Sequence, residues 1–215
     1  MFFPYKDDNP RILVPYVTYT ILGINVFFYL FQTGLGVSDV VAERTFIYAF
    51  GLIPAQFSIL NIFTSMFIHG GIAHIAGNMW FLWIFGDNVE SSLGHVRYLI
   101  FYLLCGTAAA LSQVGLNAES QIPMVGASGA IAGVLGAYMM MYPKARVHVF
   151  IIFIFITTVR VPAQIVLGIW FFMHLSNGLG TLGLNTTGGV AWFAHVGGFI
   201  AGVGGQKLFR MFRVV

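Results

Sequence analysis

The chain has 215 residues, 58% of them hydrophobic and only 8% charged, with a mean hydropathy of +0.86; this composition excludes an ordinary water-soluble globule. Its formal net charge of +3 comes from few residues, so the basic excess reads as membrane topology and not as affinity for nucleic acid. The single Cys105 excludes a disulfide within the chain and supports no cysteine metal cluster.

Residues 1–11 are short and carry Asp7 and Asp8, unlike an Arg- and Ser-rich transit peptide. No small-residue cleavage site clearly follows the first apolar segment, which is read as a retained span. Apolar windows of about 20 residues suffice to cross a hydrocarbon core of about 30 Å, and six can be placed. They are Leu13 to Gln32, Ile72 to Val89, Val96 to Val114, Ser128 to Tyr142, and two within Val161 to Gln206 divided near residues 177–189. The stretch Gly34 to His69 reads as an amphipathic loop in the outer interface. Val147 to Val159 is 13 residues long between Arg146 and Arg160. A helix of that length rises only about 20 Å, so crossing would strand a cation in lipid. An interfacial or re-entrant segment is expected there, with the fifth span starting at Pro162.

Six spans with the N-terminus inside put Lys6, Arg11, Arg97, Lys144, Arg146, Arg160, Lys207, Arg210 and Arg213 on the cytoplasmic side and leave only Arg44 outside. That is the positive-inside asymmetry. The expectation is an all-α polytopic membrane protein forming one domain over 1–215, with short cytoplasmic tails at 1–11 and 207–215. The starts of the second, fourth and sixth spans then share the outer face.

The fourth span opens on Gly126-Ala127-Ser128-Gly129. A serine between glycines at the mouth of a helix can expose its hydroxyl while the free N–H groups of the first turn face an oxyanion. The same pattern also suits a small-residue turn that starts a tightly packed membrane helix. The sixth span carries His195 one turn inside, on a helix with Gly198 and Gly202 four apart. These match a ridge of Gly129, Gly133 and Ala137, so the two helices can pack with Ser128 and His195 at similar depth. His195 is then a general base toward Ser128 or a polar tie between helices. On the second span His74 and Asn78 share a helix face, as hydrogen-bond donors to an oxyanion or as a tether. No acid follows Glu119, so a catalytic site here is a Ser–His dyad without a carboxylate. His69 and His74 are five apart and face differently, and no His-Glu-x-x-His is present, which weakens a metal reading.

His69-Gly70-Gly71-x-x-His74-x-x-x-Asn78, Gly86-x-x-x-Glu90-x-x-x-Gly94, Gly126-Ala127-Ser128-Gly129 and Ala194-His195-x-Gly197-Gly198 occur in the order, and on the spans, of the rhomboid intramembrane serine proteases, which the chain resembles over nearly its whole length. The resemblance implies Ser128 as nucleophile, His195 as base, and His74, Asn78 and the Ser128 N–H as the oxyanion hole. It implies structural roles for His69, Gly126, Gly129, Gly198 and Gly202, no metal and no cofactor. It also implies the six-helix, prokaryotic-type bundle in a cell membrane, acting on single-span membrane proteins within the bilayer. One departure is Ala132, where some relatives carry an aromatic residue stacked on the histidine, so other groups must orient His195. A non-catalytic module that binds transmembrane helices is the rival reading; a small transporter lacks the expected two-half repeat.

Overall fold

The computed structural model describes residues 2–152, 156–181 and 190–211. In chain order the described elements are β1 (Phe2–Asp7), α1 (Tyr16–Ser38), α2 (Val40–Phe50), α3 (Ile59–Thr64), α4 (Ile72–Leu93), α5 (His95–Leu116), α6 (Ser128–Met141), β2 (Arg146–Ile152), β3 (Ile156–Pro162), α7 (Ala163–Thr181) and α8 (Trp192–Met211). The six apolar windows coincide with α1, α4, α5, α6, α7 and α8. By length and composition α1 and α5 each suffice to cross a membrane, and Ile59–Phe67 with Ile72–Leu93 form a third apolar unit bent by 90°. The stretch expected as an amphipathic loop at 34–69 contains the end of α1, the helices α2 and α3 and two 3-10 turns.

The bundle exposes large apolar side chains and buries polar ones within an apolar core. Phe27, Leu30, Phe31, Trp83, Leu104 and Phe172 are exposed, whereas Asn25, Gln32, His69, Asn78, Glu90 and Gln206 are buried. Such a surface suits lipid, where backbone and side-chain polar groups must find partners inside the protein. The chain is an integral membrane protein. At its centre lies α6, only 14 residues long and buried from Gly129 through Tyr138. Its small residues let α8 approach backbone to backbone: a Cβ at Gly202 would stand 1.9 Å from the Gly133 carbonyl oxygen, and one at Gly136 would stand 2.3 Å from the Phe199 carbonyl oxygen. Close contact of this kind replaces hydrophobic exclusion as the force between helices in lipid.

The segment expected to be interfacial or re-entrant pairs instead as two antiparallel strands, with residues 153–155 outside the described ones. Its Val, Ile, Phe and Thr residues favour a pleated surface. The partner that completes the sheet is β1, from the segment expected to be a tail, giving the order β1-β2-β3. Pro162 closes β3, and α7 starts one residue later than expected, its Ala163 N–H donating to the Ala145 carbonyl at 2.8 Å. β1 is seated against α4 and α6: Trp80 Nε1 donates to the Pro4 carbonyl at 2.7 Å, Asn88 donates to Asp7 at 3.2 Å, and the Tyr138 hydroxyl donates to Asp7. At the other end, α8 runs through Lys207 and Arg210 into the expected C-terminal tail.

Glu90 is fully buried. Its carboxylate accepts from the backbone N–H groups of Val17 and Thr18 at 2.9 and 2.7 Å and from the Thr18 hydroxyl at 2.6 Å, and it meets His95 Nδ1 at 2.6 Å. It therefore satisfies the orphan donors at the start of α1, which has no capping side chain of its own. Gly94, four residues on, has φ +80°, a conformation only glycine adopts without strain, and it joins α4 to α5 in a single residue. The Gly86/Glu90/Gly94 pattern is thus a fastening of α1, α4 and α5.

Candidate active site

Ser128 is the first residue of α6, and the segment leading into it is held on both sides. Met124 exchanges backbone hydrogen bonds with Leu52 at 2.8 and 3.0 Å, and the Gly126 N–H donates to the Ser65 carbonyl at 2.8 Å. Gly126 has φ +116°, and a Cβ there would lie 2.7 Å from the His74 ring and 3.4 Å from Asn78 Nδ2. Glycine is required by conformation and by space together. A residue at a helix start keeps its N–H free, so the Ser128 amide is available to the cavity above it.

The close packing of α8 on α6 brings His195 to the serine. Ser128 Oγ lies 2.7 Å from His195 Nε2, and which of the two donates depends on the tautomer of the imidazole. His195 is 7% exposed. Below it, a Cβ at Gly198 would stand 2.0 Å from the Gly129 carbonyl oxygen.

Ser128, His195, His74 and Asn78 line one cavity of about 700 Å³. Gly70 N–H points to His74 Nδ1 at 3.4 Å, which assigns the proton of the neutral ring to Nε2, on the side of Gly126. Asn78 Nδ2 is buried with no partner among the described residues. Two side-chain donors thus converge beside Gly126, next to the Ser128 amide, in an apolar setting that strengthens their effect on a developing negative charge. His69 lies apart from this cavity. It is fully buried, its ring 5.2 Å from that of His74, and its backbone is gripped by Gln32, which donates to the His69 carbonyl at 2.7 Å. Among the described residues no group of three His, Cys, Asp or Glu side chains could hold a metal ion.

The aromatic residues around His195 come from α7 and the start of α8. Trp170, His174 and Trp192 have ring centroids 5.9, 4.8 and 6.5 Å from that of His195. Neither His174 nor Trp170 stands in a motif that marks it in the sequence. The available signal was an ionisable residue within an apolar window, paired at i,i+4 with a tryptophan.

The Rhomboid domain family model matches residues 56–210. The chain is similar to Rhomboid protein 1, mitochondrial, of Saccharomyces cerevisiae, with 28% identity over 155 residues, covering 69% of this chain and 42% of that protein. It is similar to Rhomboid protease GluP of Bacillus subtilis, with 27% identity over 189 residues, covering 87% of this chain and 34% of that protein. RHOMBOID-like protein 7 of Arabidopsis thaliana is 30% identical over 175 residues, covering 78% of this chain and 48% of that protein. The matches span less than half the length of each of these relatives.

Proposed function

The chain belongs to the rhomboid family, and from that premise we propose that it is an intramembrane serine endopeptidase working through a Ser128–His195 dyad. The observation that carries this reading is the 2.7 Å contact between Ser128 Oγ and His195 Nε2 across two different helices, inside a cavity that also holds unpartnered donors.

In this mechanism His195 Nε2 takes the Ser128 proton as Oγ attacks a peptide carbonyl carbon. The resulting oxyanion is met by the Ser128 amide, His74 Nε2 and Asn78 Nδ2. The imidazolium gives its Nε2 proton to the leaving amine as the C–N bond breaks, leaving an ester on Ser128. Water then attacks the ester with His195 again as base, releasing the new carboxyl end and restoring the serine.

The reading extends to topology and substrate. We assign the whole chain to one six-span domain with cytoplasmic termini and a site open to the outer side, because nine of the ten Lys and Arg residues then fall inside. From Ser128 to Met141 is 14 residues, about 21 Å of helix, less than the hydrocarbon thickness, so the serine is submerged beneath the outer boundary. Substrates are single-span proteins cut near that boundary. Reaching the serine requires several residues to leave a helix, so small residues at the cut and Gly or Pro downstream are favoured, since these weaken a helix by about 1 and 3 kcal/mol. The test is cleavage of a reconstituted single-span substrate. Wild type should cut it, more slowly when the downstream helix breakers become leucine, while Ser128→Ala and His195→Ala fall to background. Near-normal cleavage by folded Ser128→Ala would sink the reading.

A further inference from the structure

His195 presents a problem that Ser128 does not solve. In the dyad reading the Ser128 hydroxyl donates to Nε2, 2.7 Å away, and the neutral ring then carries its proton on Nδ1. That nitrogen is buried and has no hydrogen-bond partner among the described residues. A buried donor without an acceptor is costly and calls for an explanation, and the need grows when the ring becomes an imidazolium. In Ser-His-Asp sites a carboxylate receives this proton, but the chain has no Asp or Glu after Glu119.

Three aromatic side chains surround the ring, and of these only His174 offers an acceptor. The Trp170 and Trp192 indoles have only a donor. The tautomer of His174 follows from its own contact: Nδ1 lies 2.8 Å from the Trp170 carbonyl oxygen, and a carbonyl can only accept, so Nδ1 bears the proton. His174 Nε2 is therefore left with a free lone pair. The ring is stacked on the Trp170 indole at 3.8 Å, which fixes its orientation, and it meets the His195 ring edge to face at 67° with centroids 4.8 Å apart. A donor lacking an acceptor among the described residues and an acceptor with an open lone pair thus belong to two rings whose centroids are 4.8 Å apart, on α8 and α7. The remaining imidazole at the cavity, His74, is occupied at Nδ1 by Gly70.

We propose that His174 is the positioning residue of the dyad, its Nε2 receiving the Nδ1–H of His195 when His195 takes the Ser128 proton. This rests on the dyad reading above. The proton balance is simple: Ser128 gives one proton to His195 Nε2, the Nδ1 proton stays where it is and is held by His174, and the Nε2 proton leaves with the amine. The arrangement supplies from α7 the orientation that Ala132 of α6 cannot supply.

The test uses the full chain in proteoliposomes with a single-span substrate, comparing wild type with His174→Phe, His174→Ala and His174→Gln. Phenylalanine keeps the stacking on Trp170 but removes the acceptor; glutamine retains an acceptor oxygen for His195 and an amide donor for the Trp170 carbonyl. His174→Phe and His174→Ala should lower kcat roughly 10- to 100-fold with KM within about 2-fold of wild type, and His174→Gln should recover most of that loss. A His174→Phe enzyme with wild-type kcat would overturn the proposal, and so would a His174→Gln no better than His174→Ala. The Ala and Gln pair decides the matter if the Phe variant does not fold. Ser128→Ala in the same assay separates the two levels: cleavage by Ser128→Ala refutes the dyad itself, whereas an inert Ser128→Ala beside a fully active His174→Phe refutes only the role of His174.

Discussion

Gly198 of α8 packs so closely on Gly129 of α6 that a Cβ at position 198 would stand 2.0 Å from the Gly129 carbonyl oxygen. The neighbour is backbone and cannot swing aside, so any side chain there must push the helices apart. The same two helices carry Ser128 and His195, whose contact of 2.7 Å has no slack for such a displacement.

Gly198→Ala should therefore destabilise the protein by about 1–3 kcal/mol, as overpacking does, and slow cleavage beyond what the lost folded fraction explains. Gly204 on the same helix has open space where its Cβ would go, so Gly204→Ala should be neutral or stabilising by up to about 1 kcal/mol. Thermal unfolding in detergent alongside specific activity distinguishes the two. Equal effects from both substitutions would contradict the packing argument.

Glu90→Gln tests the fastening of α1 to α4. Glutamine has the right shape but only one acceptor oxygen, so its amide would face either the Val17 N–H and His95 Nδ1 or the Thr18 N–H and hydroxyl. A loss of about 1.5–3 kcal/mol is expected, the range for a hydrogen bond to a charged group. The measurement is the unfolding midpoint of the purified variant, and an unchanged midpoint would mean that these contacts do not hold α1.

Asp7 predicts a pH dependence. Burial, the largest cause, with the nearby Asp87 carboxylate adding to it and the Tyr138 hydrogen bond opposing it, raises the Asp7 carboxyl to about 6. A carboxyl raised in the folded state favours folding while it is protonated. Its contribution is complete below about pH 4, the unfolded value, and disappears as pH rises through about 6. Asp8, held below the usual carboxylate range by its hydrogen bond with His148, is ionised throughout that window and does not mask the effect. Wild type should thus lose stability relative to Asp7→Asn between about pH 4 and pH 7. A difference between the two proteins that stays constant with pH would show that Asp7 does not titrate in the docked strand.

Topology gives a separate prediction. A reporter fused after Val215 should be active in the cytoplasm, on the side to which nine of the ten basic residues are assigned. Activity confined to the outer side would require a different number of crossings.

The helices α1 and α4 to α8 were legible in the sequence because apolar length is a property of single segments, whereas α2 and α3 lie in the stretch read as a loop. Ser128, His195, His74 and Asn78 were legible because short glycine-bordered motifs fix each of them on a helix start, and those helix starts meet around one cavity. The sheet was not, since β2 and β3 are completed by β1 from more than 130 positions away in the chain, and no local pattern announces a pairing over that distance. Residues 147–159 read as too short to cross the bilayer as a helix, an arithmetic that does not reveal the strands β2 and β3 formed there. The partners of Glu90, the backbone donors of Val17 and Thr18, were not legible, because they have no side-chain signature. His174 was passed over for a similar reason: its meaning depends on Trp170 and on the unpartnered Nδ1 of His195, a relation that exists only once α7 is packed against α8.

In the proposed mechanism His195 makes Ser128 a nucleophile, and covalent labelling reads this without any substrate. Treatment of the folded protein with a fluorophosphonate, followed by peptide mass analysis, should place a single adduct on Ser128. Labelling should be lost on heat denaturation and fall to background in His195→Ala. An adduct on another residue, or His195→Ala labelled at the wild-type rate while folded, would contradict the account.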